Sequence, residues 1–136
     1  MPDTLPSSAA RTADALLRFA GGRTVLLRMP MPASPLASEQ LGLATPGFQD
    51  IPLAPAAFRK ARPQSATKVE LLVSATIVEL TVGTLTYDSA ATLFAEALGI
   101  VIDDDVFTID SATAEQAFGK PYLYRLTLRP PQSQLV

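Results

Sequence analysis

The densest run of chemically capable side chains in this 136-residue sequence is Asp103, Asp104 and Asp105. Adjacent carboxylates could hold a hard cation, or one of them could share acid and base work with a second carboxylate across a cleft. A calcium loop needs spaced oxygen ligands, a glycine at its turn and a bidentate glutamate at its twelfth position, and counting from Asp103 puts Ala114 there. Glu96 and Asp110 are the candidates for a second catalytic carboxylate, but nothing in their spacing ties them to the triplet. The triplet is therefore read as a solvated turn. It lies between Ile100-Val101-Ile102 and Val106-Phe107-Thr108-Ile109, a pattern of strand, turn and strand.

Most other chemistry is excluded by omission. The chain has no cysteine, histidine or tryptophan, so the usual zinc, copper and haem sites, thiol nucleophiles and the Ser-His-Asp arrangement have no residues to build them. Neither a P-loop lysine nor further spaced glycines follow Gly21-Gly22, so the pair is no phosphate cradle. The net charge of −2 supplies no basic field for nucleic acid. Tyr122 and Tyr124 could stack bases, but with that charge balance they read as core. The expectation is a chain without metal, cofactor or catalytic residues.

Contact remains as a role. Hydrophobic residues make up 48 per cent and charged ones 18 per cent, which leaves less polar surface than a solitary monomer usually carries, so subunit contacts are expected. Arg23, Arg28, Arg59, Lys60, Arg62, Arg125 and Arg129 are interspersed with apolar residues. Arginine suits interfaces because its planar fork pairs with carboxylates while its stem packs on apolar surface.

These side chains need elements to hold them. At this length one domain is expected, residues 1–136, with flexible tails at 1–6 and 130–136. The twelve prolines argue for short strands and loops rather than long helices. A helix is predicted from Ser7, capped by Ser7 or Ser8, with Ala13, Leu16, Leu17 and Phe19 or Ala20 on one face and Gly21-Gly22 at its end. Residues 23–29 read as a strand closed by Pro30 and Pro32. Residues 30–47 show no convincing period and are predicted as a long loop that orders against a neighbour. Residues 48–59 read as an extended piece broken at Pro52 and Pro55, hence at a sheet margin or crossing between sheets.

Residues 68–73 form a strand by type, but from Ser74 the alternation fails. Thr76 and Glu79 have the spacing of a capping box, so 74–83 reads as strand or helix. Asp88 or Ser89 caps a clearer helix over 90–98, with Leu93, Phe94, Ala97 and Leu98 on one face and Gly99 at its end. A polar, small-residue segment over 110–120 precedes a last strand in which Tyr122, Tyr124, Leu126 and Leu128 share one face. The fold class is all-β, a β-sandwich or small β-barrel, with one N-terminal and one or two internal short helices. No run reaches ~18 apolar residues, and Asp3 and Pro6 stand where a signal peptide would carry its basic and apolar parts, so a soluble, unprocessed chain with no membrane partner is expected.

The order of parts is a short helix ending in glycine, a strand, a long loop, an extended segment with Phe48 and Asp50, a strand, Gly99-x-x-Ile102-Asp103-Asp104-Asp105-x-Phe107-x-Ile109, and a final strand over 122–129. It resembles the small head-closure or head-tail joining proteins of long-tailed bacteriophages, most closely over residues 99–131. The resemblance implies a virion protein without an active site, made in the bacterial cytoplasm. Copies would form a ring in the neck, below the portal or its adaptor, continue the DNA channel and present a platform to the tail terminator or tail tube protein. Closed rings use heterologous contacts, for which the candidates are Leu36, Leu41 and Leu43 in the long loop, Arg59, Lys60 and Arg62, and Leu135 in the C-terminal tail. Asp103, Asp104 and Asp105 would face the lumen and repel the phosphates of passing DNA. A tail-terminator or tail-tube subunit of the same particle is the first alternative. Such subunits typically carry a long inward hairpin, for which the 103–105 turn offers little length. A small β-barrel binding a lipid or carbohydrate is the other, and it would need inward apolar residues without filling partners.

Overall fold

The structure, a computed structural model, describes residues 7–31, 47–60 and 69–131, with the side chains of Arg59 and Lys60 outside that set. The chain runs α1 (Ser8–Phe19), β1 (Arg23–Pro30), β2 (Phe48–Lys60), β3 (Val69–Ser74), α2 (Ala75–Leu85), α3 (Ala90–Glu96), β4 (Gly99–Ile102), β5 (Asp105–Ala117) and β6 (Lys120–Arg129). Apolar residues at every second position of the strands need a shared interior. They find it by closing into an antiparallel barrel in the order β1-β2-β3-β6-β5-β4, with β4 back on β1. Of the two all-β architectures left open by the sequence, the barrel is the one observed. Closure leaves short strands such as β4 with neighbours on both sides.

Val25, Leu27 and Met29 of β1, Leu53 of β2, Leu71 and Val73 of β3, Ile100 of β4 and Leu126 and Leu128 of β6 point inward and are almost wholly buried. Val78 of α2 and Leu93 and Phe94 of α3 join the same cluster. Because neighbouring strands alternate in direction, one end of the barrel carries the entry to β1 and the turn at 103–104. The other carries α2, α3 and the β5–β6 turn.

Several expectations are corrected. The piece read as broken at Pro52 and Pro55 is one strand, β2, which pairs with β1 over residues 48–56 and with β3 over 56–60, so residues 48–55 have a ladder on one side only, as a strand at a margin does. Pro55 falls in the bulge at the register shift opposite Arg23 and Val25, where no ladder bond is needed, and Pro52, in register with Leu26, lies where β2 has β1 as its only neighbour. The strand expected to stop at Ile109 continues to Ala117, since residues 111–117 are held by their pairing with β6. Leu16 and Phe19 do not belong to the buried face of α1, which is made by Ala10, Ala13, Asp14 and Leu17. Small alanines let the helix approach β2, β3 and β6 closely. The ambiguous stretch after Ser74 is helical, with Ser74 as its cap, and Thr76 and Glu79 make bonds elsewhere. α3 ends at Glu96, which leaves Leu98 exposed. The caps Ser7 and Ser89 are as read from the sequence.

Candidate functional site

The three carboxylates of 103–105 have separate fates. Asp103 and Asp104 form a two-residue hairpin turn with φ of 51° and 69°, a left-handed conformation that aspartate tolerates better than most residues. Asp103 accepts from Nη2 of Arg23 at 2.8 and 3.0 Å. The Arg23 guanidinium also lies 5.9 Å from the centroid of the Phe58 ring. Asp104 is exposed, and Asp105 is drawn into β5 opposite Ile102. Among the described residues no group of three or more acidic side chains is placed to hold a metal.

The outer face of the barrel is tied by arginines. Arg125 of β6 reaches Glu70 on β3 at 3.0 Å and Glu115 on β5 at 3.2 Å, so one side chain links three neighbouring strands. Its guanidinium is held above its ordinary pKa, chiefly by the bond to Glu70. Arg129 binds Asp110 at 2.7 Å. Arg28 pairs in register with Asp50, bonds both of its oxygens, and stacks 3.9 Å from the Phe48 ring centroid. That hydrogen-bonded pair holds the Asp50 carboxyl below its usual range and raises the guanidinium. These arginines are occupied within the chain.

Among the described residues two ionisable side chains reach the interior. Asp14 of α1, 6 per cent exposed, accepts from the Thr76 hydroxyl at 2.9 Å and so joins α1 to the first turn of α2. Tyr124, also 6 per cent exposed, packs 5.9 Å from the Phe94 ring and donates to Oε2 of Glu79 at 2.5 Å. Burial, followed by the neighbouring Glu79, pushes the Tyr124 phenol well above its ordinary value. A raised folded pKa means that the stability from the neutral phenol is fully present below about pH 10 and is lost as pH rises beyond it. The urea midpoint of the wild type is expected to fall above pH 10, and Tyr124→Phe should fall less steeply. Equal slopes would contradict this account. Tyr87, raised by burial and Glu96, adds to the fall in both proteins.

What the surface offers for contact is apolar. Met31, Phe48 and Leu98 stand half in solvent at the end of the barrel where β1 finishes and β2 and β4 begin. Phe19 is 91 per cent exposed at the end of α1, and Phe118 is fully exposed at the tip of the β5–β6 hairpin. Sequence reasoning missed Phe118 because it fell in a stretch read as a polar connection. The signal is a Phe-Gly pair between two strands, where Asn-Gly is the usual choice. Of the expected interface residues, Leu36, Leu41, Leu43, Arg62 and Leu135 lie outside the described residues. Arg59 and Lys60 fall in the last part of β2, and their side chains lie outside them as well. No helix among the described residues is long and apolar enough to cross a membrane.

Compared with family models, curated proteins and solved structures, the chain matches none. A functional reading therefore rests on its own residues.

Proposed function

We propose that this chain is a structural, non-enzymatic subunit that forms a ring in the neck of a bacteriophage virion, between the portal or its adaptor and the tail. A barrel of this kind hosts many unrelated functions, so the fold alone does not select this one. The reading is carried by one surface observation, large apolar side chains standing in solvent at opposite ends of a filled barrel. Phe118 is at one end, and Phe19 lies close to the entry of β1 at the other. Single exposed aliphatics are ordinary, but aromatic rings fully in water at separate places suit a subunit with neighbours on both sides. A closed ring needs such unlike surfaces, because each subunit meets the next through a different patch. The exposed Asp104 suits a channel wall that repels phosphate, with DNA only as passing cargo.

The tail-terminator or tail-tube alternative gains support from the β5–β6 hairpin. Its strands run 13 and 10 residues. β4 pairs with β5 only over residues 105–107, and β3 reaches β6 no further than Leu123, so the distal part of the hairpin extends beyond both neighbours. That supplies the length which the 103–105 turn lacks. Ligand binding within the barrel is less well supported, since the inward side chains pack on one another in one cluster.

The test is direct. The purified chain should sediment and scatter light as a closed oligomer, and negative-stain images should show rings with an open centre. A monomer at every concentration would sink the reading.

A further inference from the structure

The tip of the β5–β6 hairpin is built unusually. Phe118 and Gly119 form its turn with φ of 54° and 77°. A left-handed conformation is costly for a bulky residue and cheap for asparagine or glycine. The ring is nevertheless placed there, fully exposed, and packs on nothing among the described residues. Burying an aromatic side chain of this kind removes roughly 150–250 Å² from water, which makes it the most favourable single group on the described surface to cover.

At the other end of the barrel lies a groove of about 310 Å³ lined by Ala20, Gly21, Arg23, Ala56, Ala57 and Phe58. Its walls are alanine, glycine and the Phe58 ring, apart from Arg23, whose guanidinium is already taken by Asp103. The volume sits at the bottom of the range of roughly 300–1,000 Å³ usual for small-molecule sites, which fits a single ring and its backbone better than a separate ligand. The hairpin cannot reach this groove in its own chain, because β6 alone, ten residues long, spans roughly 30 Å between the two ends.

We propose that Phe118 of one copy inserts into the Ala20–Phe58 groove of the next. Charge agrees with this pairing: Lys120 stands beside the tip, and Asp104 follows Asp103, the ion-pair partner of the groove residue Arg23. Neither Lys120 nor Asp104 makes an ion pair among the described residues. The contact is heterologous, since tip and groove are different surfaces at opposite ends, and repetition closes a ring or extends a stack. The inference rests on the ring reading for its choice of a second copy as occupant, and it names the contact that reading leaves open.

The absence of cysteine from the chain makes a clean test possible. Gln116→Cys, exposed beside the tip and leaving the Phe118 ring in place, and Ala20→Cys are each prepared alone, then mixed and treated with a short bis-maleimide. A cross-linked dimer containing one of each variant is expected, with little product from either variant by itself. In light scattering, Phe118→Ala should weaken self-association by roughly 30-fold or more, the effect of losing an aromatic hot spot, with an unchanged circular dichroism spectrum. If the wild type associates but the mixed product is absent, or Gln116→Cys cross-links mainly to itself, or Phe118→Ala associates as before, the docking is wrong and the ring reading survives. If the wild type never associates, both fall.

Discussion

Leu126→Ala is expected to lower the free energy of unfolding by about 2–5 kcal/mol, the range for deleting most of a fully buried leucine. Leu126 has no exposed surface and sits mid-strand in β6, opposite Leu71 of β3 on one side and Ala112 of β5 on the other. The cost has two parts, the lost transfer of the side chain out of water and the void left behind. The second part should be near its upper range here, because a strand hydrogen-bonded on both sides cannot move inward to fill the space. For a domain with about 5–15 kcal/mol in total, that is a large fraction. Urea unfolding checks it: the midpoint should drop with little change in slope. Thr127→Ala, one residue on and facing outward, should stay within about 0.5 kcal/mol. Similar costs at the two positions would mean that the interior has been wrongly located.

This contrast between adjacent residues is the part of the fold most legible in the sequence. Alternation in β6 needs only the period of a strand, and Tyr124, Leu126 and Leu128 are buried as that period requires. The caps at Ser7 and Ser89 and the turn at 103–104 are legible for the same reason, since their bonds close within three residues. Features that depend on distant partners are not. Ser111, Ala112 and Ala114 have no strong strand preference, and only β6 across from them makes a strand. Phe19 is more hydrophobic than Ala10, yet the alanine is buried, because close approach to the sheet selects size over hydrophobicity. Arg23 meets Asp103 across 80 residues of chain, a pairing that no local pattern encodes. Phe118 escapes for a related reason. Until the end of β5 is known, a phenylalanine beside glycine could lie in a strand or a loop, and its isolation at the tip follows only from the long pairing of β5 with β6.

Gly99 reads in the sequence as the end of a helix, and the structure gives it a different task whose removal should be costly. It opens β4 opposite Arg28 of β1, and a Cβ added there would lie 2.6 Å from the carbonyl oxygen of Phe107 and 2.9 Å from Cγ1 of Val106. The first of these is backbone of β5, so relief cannot come from turning a side chain. It would require shifting the strand that carries Phe107, whose ring meets Phe58 edge-on at 5.8 Å and belongs to the core. Gly99→Ala should therefore destabilise by about 1–3 kcal/mol, as overpacking of a close backbone approach does. Gly83 supplies the control. It lies in α2, where an added methyl group would find nothing within 4 Å, so alanine there meets open space and should gain up to about 1 kcal/mol from helix propensity. The same chemical change thus carries opposite signs at two glycines, and melting curves of the two variants should move apart from the wild type in opposite directions. A Gly99→Ala protein melting with the wild type would mean that β4 and β5 do not approach one another so closely at this point.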